Sequence, residues 1–286
     1  MIIRENIVDV EEYRLEEILN NKEVDCKPEE SIYFDLEHYV YKKPKCIGVF
    51  GACVYNKKNK KINVTQYMIE NKSEVVDILL LAKKYFIKMK TEGKKVIVTF
   101  PGNNDFTVIK YLFNKYGIYF DFEKEFKSID IQKEYEKDMK ISIGLKNLEK
   151  IFEVYREGDV ISGSNLAKTF HKVLKDKEYI QRMPKEKIET ILQYNEQDVV
   201  NLYKIFINWK NYIKTEEDTK ENDDFDEIKE IKTEQIINDI KEIDNEKNIE
   251  DVKKEQENNT NDNIIIIEDN GQQEENKEID NSETII

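Results

Sequence analysis

Histidine and cysteine are almost missing from this 286-residue chain, which holds only His38, His171, Cys26, Cys46 and Cys53. No CxxC spacing occurs, so a zinc centre of the Cys/His kind is excluded. An odd, sparse set of thiols fits a reducing compartment better than a disulfide framework. Long apolar runs are also lacking: none reaches the roughly 18 residues that a membrane-spanning helix needs. The opening segment, MIIRENIVDVEEY, carries charge too early to read as a secretory signal. These absences predict a soluble, cytoplasmic protein with no membrane partner.

Charge is plentiful but unevenly spread. The net charge is -14 and the pI about 4.9. Residues 214–286 hold 26 acidic against nine basic side chains, a net of -17. Residues 1–213 therefore carry 37 bases and 34 acids, a net of +3. The acidity belongs to a tail, and the mildly basic body raises no objection to a nucleic-acid partner.

The body reads as alternating strands and helices. Val10, Tyr13, Leu15 and Ile18 fall loosely on one side of a helical projection of residues 9–21, which predicts a helical N-terminal extension over residues 1–30. SIYFDLE (31–37) is the first strong strand. CIGVFGACVY (46–55) and KINVTQYMI (61–69) follow as a hairpin around the polar turn NKKNKK. A helix over 73–90, with Ser73 as its N-cap and Gly93 past its end, leads into the buried strand KKVIVTF (94–100). A helix over 104–116, a weaker strand EFKSIDI (125–131) and helices over 144–154, 163–176 and 185–213 complete the body. The pattern predicts an α/β domain over 31–213, a mixed sheet covered by helices on both faces. Residues 214–286 have a single aromatic residue, Phe225, and too little apolar content to offset ordering entropy, which predicts an acidic disordered tail. Within it, 225–250 has the i,i+4 pairing of a transient helix. NIIIIED (263–269) reads either as neutral low-complexity sequence or as a strand that adds to a partner's sheet edge.

Four acids stand out by position. Alternation along SIYFDLE puts Tyr33, Asp35 and Glu37 on one face and Ile32, Phe34 and Leu36 on the other. Two carboxylates on one strand face repel unless a cation or solvent compensates; they are the hard oxygen ligands a divalent ion takes, and a wet strand end is the structural alternative. Asp105 follows the strand VIVTF and opens a helix, where a first-turn acid is also an ordinary capping choice. Tyr194 and Asp198, one helical turn apart, flank a stripe of Ile188, Leu192, Asn195, Val199, Leu202 and Phe206.

Taken in order, these residues resemble the DEDD exonuclease superfamily of the RNase H-like fold, in its DEDDy subtype, and most closely the YprB-like proteins within it. YFDLE (33–37) is similar to the first motif. SIDI (128–131), GLKNLEKIF (144–152) and SGSNLAKTF (162–170) are similar to the intervening segments, and YNEQDVVNL (194–202) to the final Tyr-Asn-x-x-Asp motif. The resemblance spans roughly residues 31–208. It departs at the second motif, where Asn104 and not an aromatic residue precedes Asp105, so Asp130 stands as an alternative.

The resemblance implies two Mg²⁺ or Mn²⁺ ions held by Asp35, Glu37, Asp105 and Asp198, with Tyr194 orienting the attacking water, and a 3′–5′ exonuclease acting on single-stranded DNA or RNA. Lys168, His171, Lys172 and Lys175 are candidate phosphate contacts. Tyr33, Phe34 and Tyr39 are candidates for base stacking, with core packing the competing role for Phe34. The alternative is a non-catalytic module of the same fold that binds nucleic acid or a protein, with the acidic tail as its interaction element.

Overall fold

The segments that alternate in hydrophobicity do pair, and the order in which they pair decides where the acids meet. The computed structural model describes residues 1–158 and 161–213. Within them six strands form one sheet: β1 (Ile2–Asp9), β2 (Ser31–Tyr41), β3 (Lys43–Asn56), β4 (Lys61–Met68), β5 (Val96–Thr99) and β6 (Lys127–Asp130), in the order β1-β4-β3-β2-β5-β6. The pairs β1–β4, β4–β3 and β3–β2 are antiparallel, while β2–β5 and β5–β6 are parallel. Hairpins join β2 to β3 and β3 to β4, while β1 reaches β4 from the far end of the chain order. Lys42 and Lys60, both with positive φ, lie at the ends of their turns. The parallel part needs crossovers, supplied by α1 (Val75–Thr91) and α2 (Gly102–Lys115).

Helices cover both faces. On one, Ile32, Phe34 and Leu36 of β2 join a core with Ile78, Leu79 and Phe86 of α1, and Ile109 and Leu112 of α2. Phe34 lies edge-on to Phe86 at 5.3 Å. Two further helices follow the short α3 (Phe122–Glu125): α4 (Ile131–Met139) and α5 (Leu145–Ile151). α6 (Gly163–Lys175) and the long α7 (Lys185–Ile207) come next, and α8 (Trp209–Tyr212) ends the described chain. α7 crosses the other face of β2, where Tyr33 packs edge-on against Tyr203 and Phe206. The mixed α/β sheet with helices on both faces is therefore as expected.

Three local expectations fail. Residues 9–21 form no helix. The preceding residues make β1, whose Ile2–Asp9 ladder runs the full length of β4, and the segment after it has its backbone engaged elsewhere. Leu19 N donates to Phe206 O at 2.9 Å, and Lys210 N to Glu17 O at 3.0 Å. Second, Asn71 rather than Ser73 caps the turn before α1, accepting from Ser73 N. Third, α4 occupies residues beyond SIDI that carried no sequence signal, because Ile131 and Tyr135 are its only buried side chains. Asp130 caps it, accepting from Gln132 N at 3.1 Å. The acidic tail, with its 225–250 and 263–269 segments, lies outside the described residues.

Candidate metal centre

β2 delivers Asp35 and Glu37 to the face that α7 covers, and α7 returns Asp198 to the same place. Ligand oxygens of Asp35, Glu37 and Asp198 lie within 4.8 Å of one another. Glu37 is 8% and Asp198 5% exposed while Asp35 is half-buried, so the three carboxylates crowd together at the floor of a cleft with little water around two of them. The electrostatic consequence is visible at each. Burial pushes the Asp35 carboxyl up to about 6, against the pull of the Asn195 hydrogen bond and the Arg156 charge. Burial also raises Glu37 well above the usual carboxylate range, with the charges of Asp35 and Asp198 adding to it. Asp198 is raised by burial and then by Asp35, while Arg156 opposes. A donor set of three hard oxygens with this much mutual repulsion fits a divalent cation. Asp35, Glu37 and Asp198 are the residues that would hold it.

Asp105 stands apart from that group. It is 4% exposed in the first turn of α2, and burial, then the charges of Asp35, Glu37 and Asp198, raise its carboxyl. It thus feels the cluster without joining the three. Asp130 contributes to the same field but serves as the cap of α4. Tyr194 lines the cleft in front of the carboxylates together with Asp35, Glu37, Lys146, Arg156 and Asp198. Burial raises its hydroxyl, and Asp198 and Glu37 add to the rise, so it keeps its proton at neutral pH and can donate a hydrogen bond.

A hydrogen-bonded chain fixes the first acid. Gln66 of β4 donates to Leu192 O and to Asn195 Oδ1, both at 2.8 Å, and Asn195 donates to Asp35 Oδ2 at 3.0 Å. Asn195 has room because its neighbour across β3 is Gly51: a Cβ there would stand 2.0 Å from Asn195 Oδ1. Gln66 carried a legible signal, since it falls in the inward phase of Ile62, Val64 and Met68 on β4. A polar side chain in an apolar phase has to find a partner.

A second chain was missed altogether. Arg156 donates to Glu149 Oε2 through Nε and to Glu149 Oε1 through Nη2, both at 2.6 Å, and Nη2 donates also to Asp198. Asn201 Nδ2 reaches the same Glu149 at 2.8 Å. Its sequence trace is slight: an acid in GLKNLEKIF and an arginine seven residues on, across an irregular connection.

The remaining candidates separate. Lys168, Lys172 and Lys175 are exposed on α6 and His171 is half-buried against Tyr39 at 5.0 Å; none of the four lines the cleft. Tyr33 and Phe34 are both fully buried, so neither can stack on a base, and both are core residues. Tyr39 remains half-buried and reachable. Among the described residues no helix is long and apolar enough to cross a membrane.

No curated protein and no solved structure matches the chain. The sequence model of the RNase H superfamily does, over residues 32–210, from the first residues of β2 to the end of α7 and just beyond. The match takes in the mixed sheet from β2 onwards and all three clustered acids, and the chain belongs to the RNase H superfamily.

Proposed function

We propose that this chain is a metal-dependent 3′–5′ exonuclease of the DEDDy, YprB-like kind, hydrolysing phosphodiester bonds in single-stranded DNA or RNA. The observation that carries the reading is the gathering of Asp35, Glu37 and Asp198 within 4.8 Å, with Tyr194 one helical turn before Asp198 at the mouth of the same cleft. The catalytic unit is residues 31–213. Two Mg²⁺ or Mn²⁺ ions would supply the charge that activates water and stabilises the departing oxygen. Asp35, held by Asn195, and Glu37, two residues further on the same strand face, offer oxygens from β2. Asp198 offers the third from α7, and Asp105 is the fourth ligand in this reading. Tyr194 keeps its proton at neutral pH, so its hydroxyl orients the attacking water by hydrogen bonding and does not deprotonate it. Lys168, His171, Lys172 and Lys175 form an outlying row on α6, suited to phosphates further along the strand.

One observation favours the second reading, a non-catalytic module that binds nucleic acid: Asp105 lies outside the three-acid group. Degradation of end-labelled single strands with Mn²⁺ or Mg²⁺ decides between them. Asp35→Ala and Asp198→Asn are each expected to lower the rate at least about 100-fold, the loss of a few kcal/mol of charge stabilisation. Equal rates in wild type and both variants would mean a contaminant and end the nuclease reading. A substrate blocked at its 3′ end is expected to survive; its internal cleavage would make the enzyme an endonuclease.

A further inference from the structure

The cleft that gathers three acids also contains a guanidinium that a simple ion pair does not account for. Arg156 is held in a fork by Glu149, itself 2% exposed and fastened by Asn201. The Arg156 side chain is 10% exposed, and its Cζ lies 5.0 Å from the centre of the Tyr194 ring. Two of its nitrogens are engaged. The third, Nη1, is buried without a hydrogen-bond partner. An unmet donor on a buried cation is costly to keep, so a partner that arrives later would gain from it.

The lining of the cleft says what that partner is. Asp35, Glu37 and Asp198 repel a polyanion, and among the described residues the cations facing it are Lys146 and Arg156. A planar guanidinium matches the oxygens of a phosphate, and Glu149 fixes the plane in advance. The carboxylate that Nη2 holds in this structure is Asp198, one of the three oxygens a metal would require. Arg156 therefore has one donor idle and another on a carboxylate that ion binding would claim.

We propose that Arg156, oriented by Glu149, is a substrate-phosphate contact of this site: it rests on Asp198 without substrate and turns that donor and Nη1 to the phosphate of the terminal nucleotide. The inference rests on the nuclease reading, and it assigns the group that overcomes the repulsion between the acids and the substrate.

The test uses the full chain, a fluorescent single-stranded oligonucleotide and Ca²⁺ as a non-cleaving ion, with anisotropy read over a range of salt. Arg156→Gln is expected to weaken binding about tenfold and to lower the slope of log K against log salt by about one. Its Mn²⁺ affinity by calorimetry without oligonucleotide is expected to equal or exceed the wild type's, since the arginine no longer competes for Asp198. Arg156→Lys keeps the charge but not the fork, so it is expected to weaken binding about threefold with an unchanged slope. Should the glutamine variant fail to fold, the lysine variant decides, and a wild-type affinity in it overturns the proposal. Wild-type affinity and slope in Arg156→Gln, or lost Mn²⁺ affinity with unchanged oligonucleotide binding, also overturn it and leave Arg156 as a prop for Asp198. A wild type that neither binds nor degrades single strands removes the nuclease reading itself. Degradation by the wild type with an indifferent Arg156→Gln removes only the role of Arg156.

Discussion

At Asp35 two influences compete: burial pushes its carboxyl up to about 6, while Asn195 and Arg156 pull it down. The folded value lies above that of an unfolded aspartate, near 3.9. Between about pH 4 and 6 the folded chain then holds more protons than the unfolded one. Stability falls as pH rises through that window and stays lower above it. Asp35→Asn removes the ionisation. In EDTA at pH 7.5 it is expected to be more stable than wild type by on the order of 2 kcal/mol, and the gain should vanish below pH 4. Thermal melts across that range check it; a difference that does not change with pH would show that Asp35 ionises normally in the fold. At this scale the sequence was a good guide to the strand acids, because the period of a strand settles which face Asp35 and Glu37 share. It was a poor guide to Arg156, whose partners Glu149 and Asp198 lie seven residues before it and 42 residues after it, in α5 and α7.

Individual elements meet at distances that leave no room for ordinary side chains. A Cβ on Gly48 of β3 would stand 2.2–2.4 Å from ring atoms of Phe170, so α6 lies directly on the β3 backbone. The ring is fully buried and cannot swing aside cheaply. Gly48→Ala is expected to destabilise by about 1–3 kcal/mol through overpacking. The midpoint of urea denaturation measures it, and an unchanged midpoint would mean that α6 is more loosely seated. Element identity was legible where periodicity was long, as in α1, α7 and the β3–β4 hairpin. It failed at residues 2–21, because IIRENIVD carries no polar–apolar alternation and leaves Ile3 and Ile7 exposed, so the loose helical spacing after residue 9 was the stronger pattern. Only the pairing with β4 makes the segment a strand. It failed again at α4, whose single buried pair is too little for a pattern.

Over the whole molecule, charge and apolar content part company near residue 213. Ending the chain after Ile213 changes the net charge from -14 to +3. Among the described residues the buried apolar side chains run up to Ile213, and the superfamily match ends at 210, so the shortened chain is expected to melt at the same temperature as the full one. A clear drop would mean that the acidic segment contributes to the core. Measured with oligonucleotide at low salt, the same pair of proteins also tests competition: a tail that mimics nucleic acid lowers the full chain's affinity, and the difference closes as salt rises. Equal affinities would discard that role.

α7 gives the site its character. Its inner side supplies Leu202 and Phe206 to the apolar interior and Asn195 to the support of Asp35, and its flank supplies Tyr194 and Asp198 to the cleft. Asn195 is bonded both to Gln66, two strands away, and to Asp35, so α7, β4 and this acid form one braced frame. A frame of this kind has no hinge between its support and its working groups. Adaptation to different strands then falls to whatever lies around the rim, and heat, denaturant or a distant core defect would erode ion capture and architecture together.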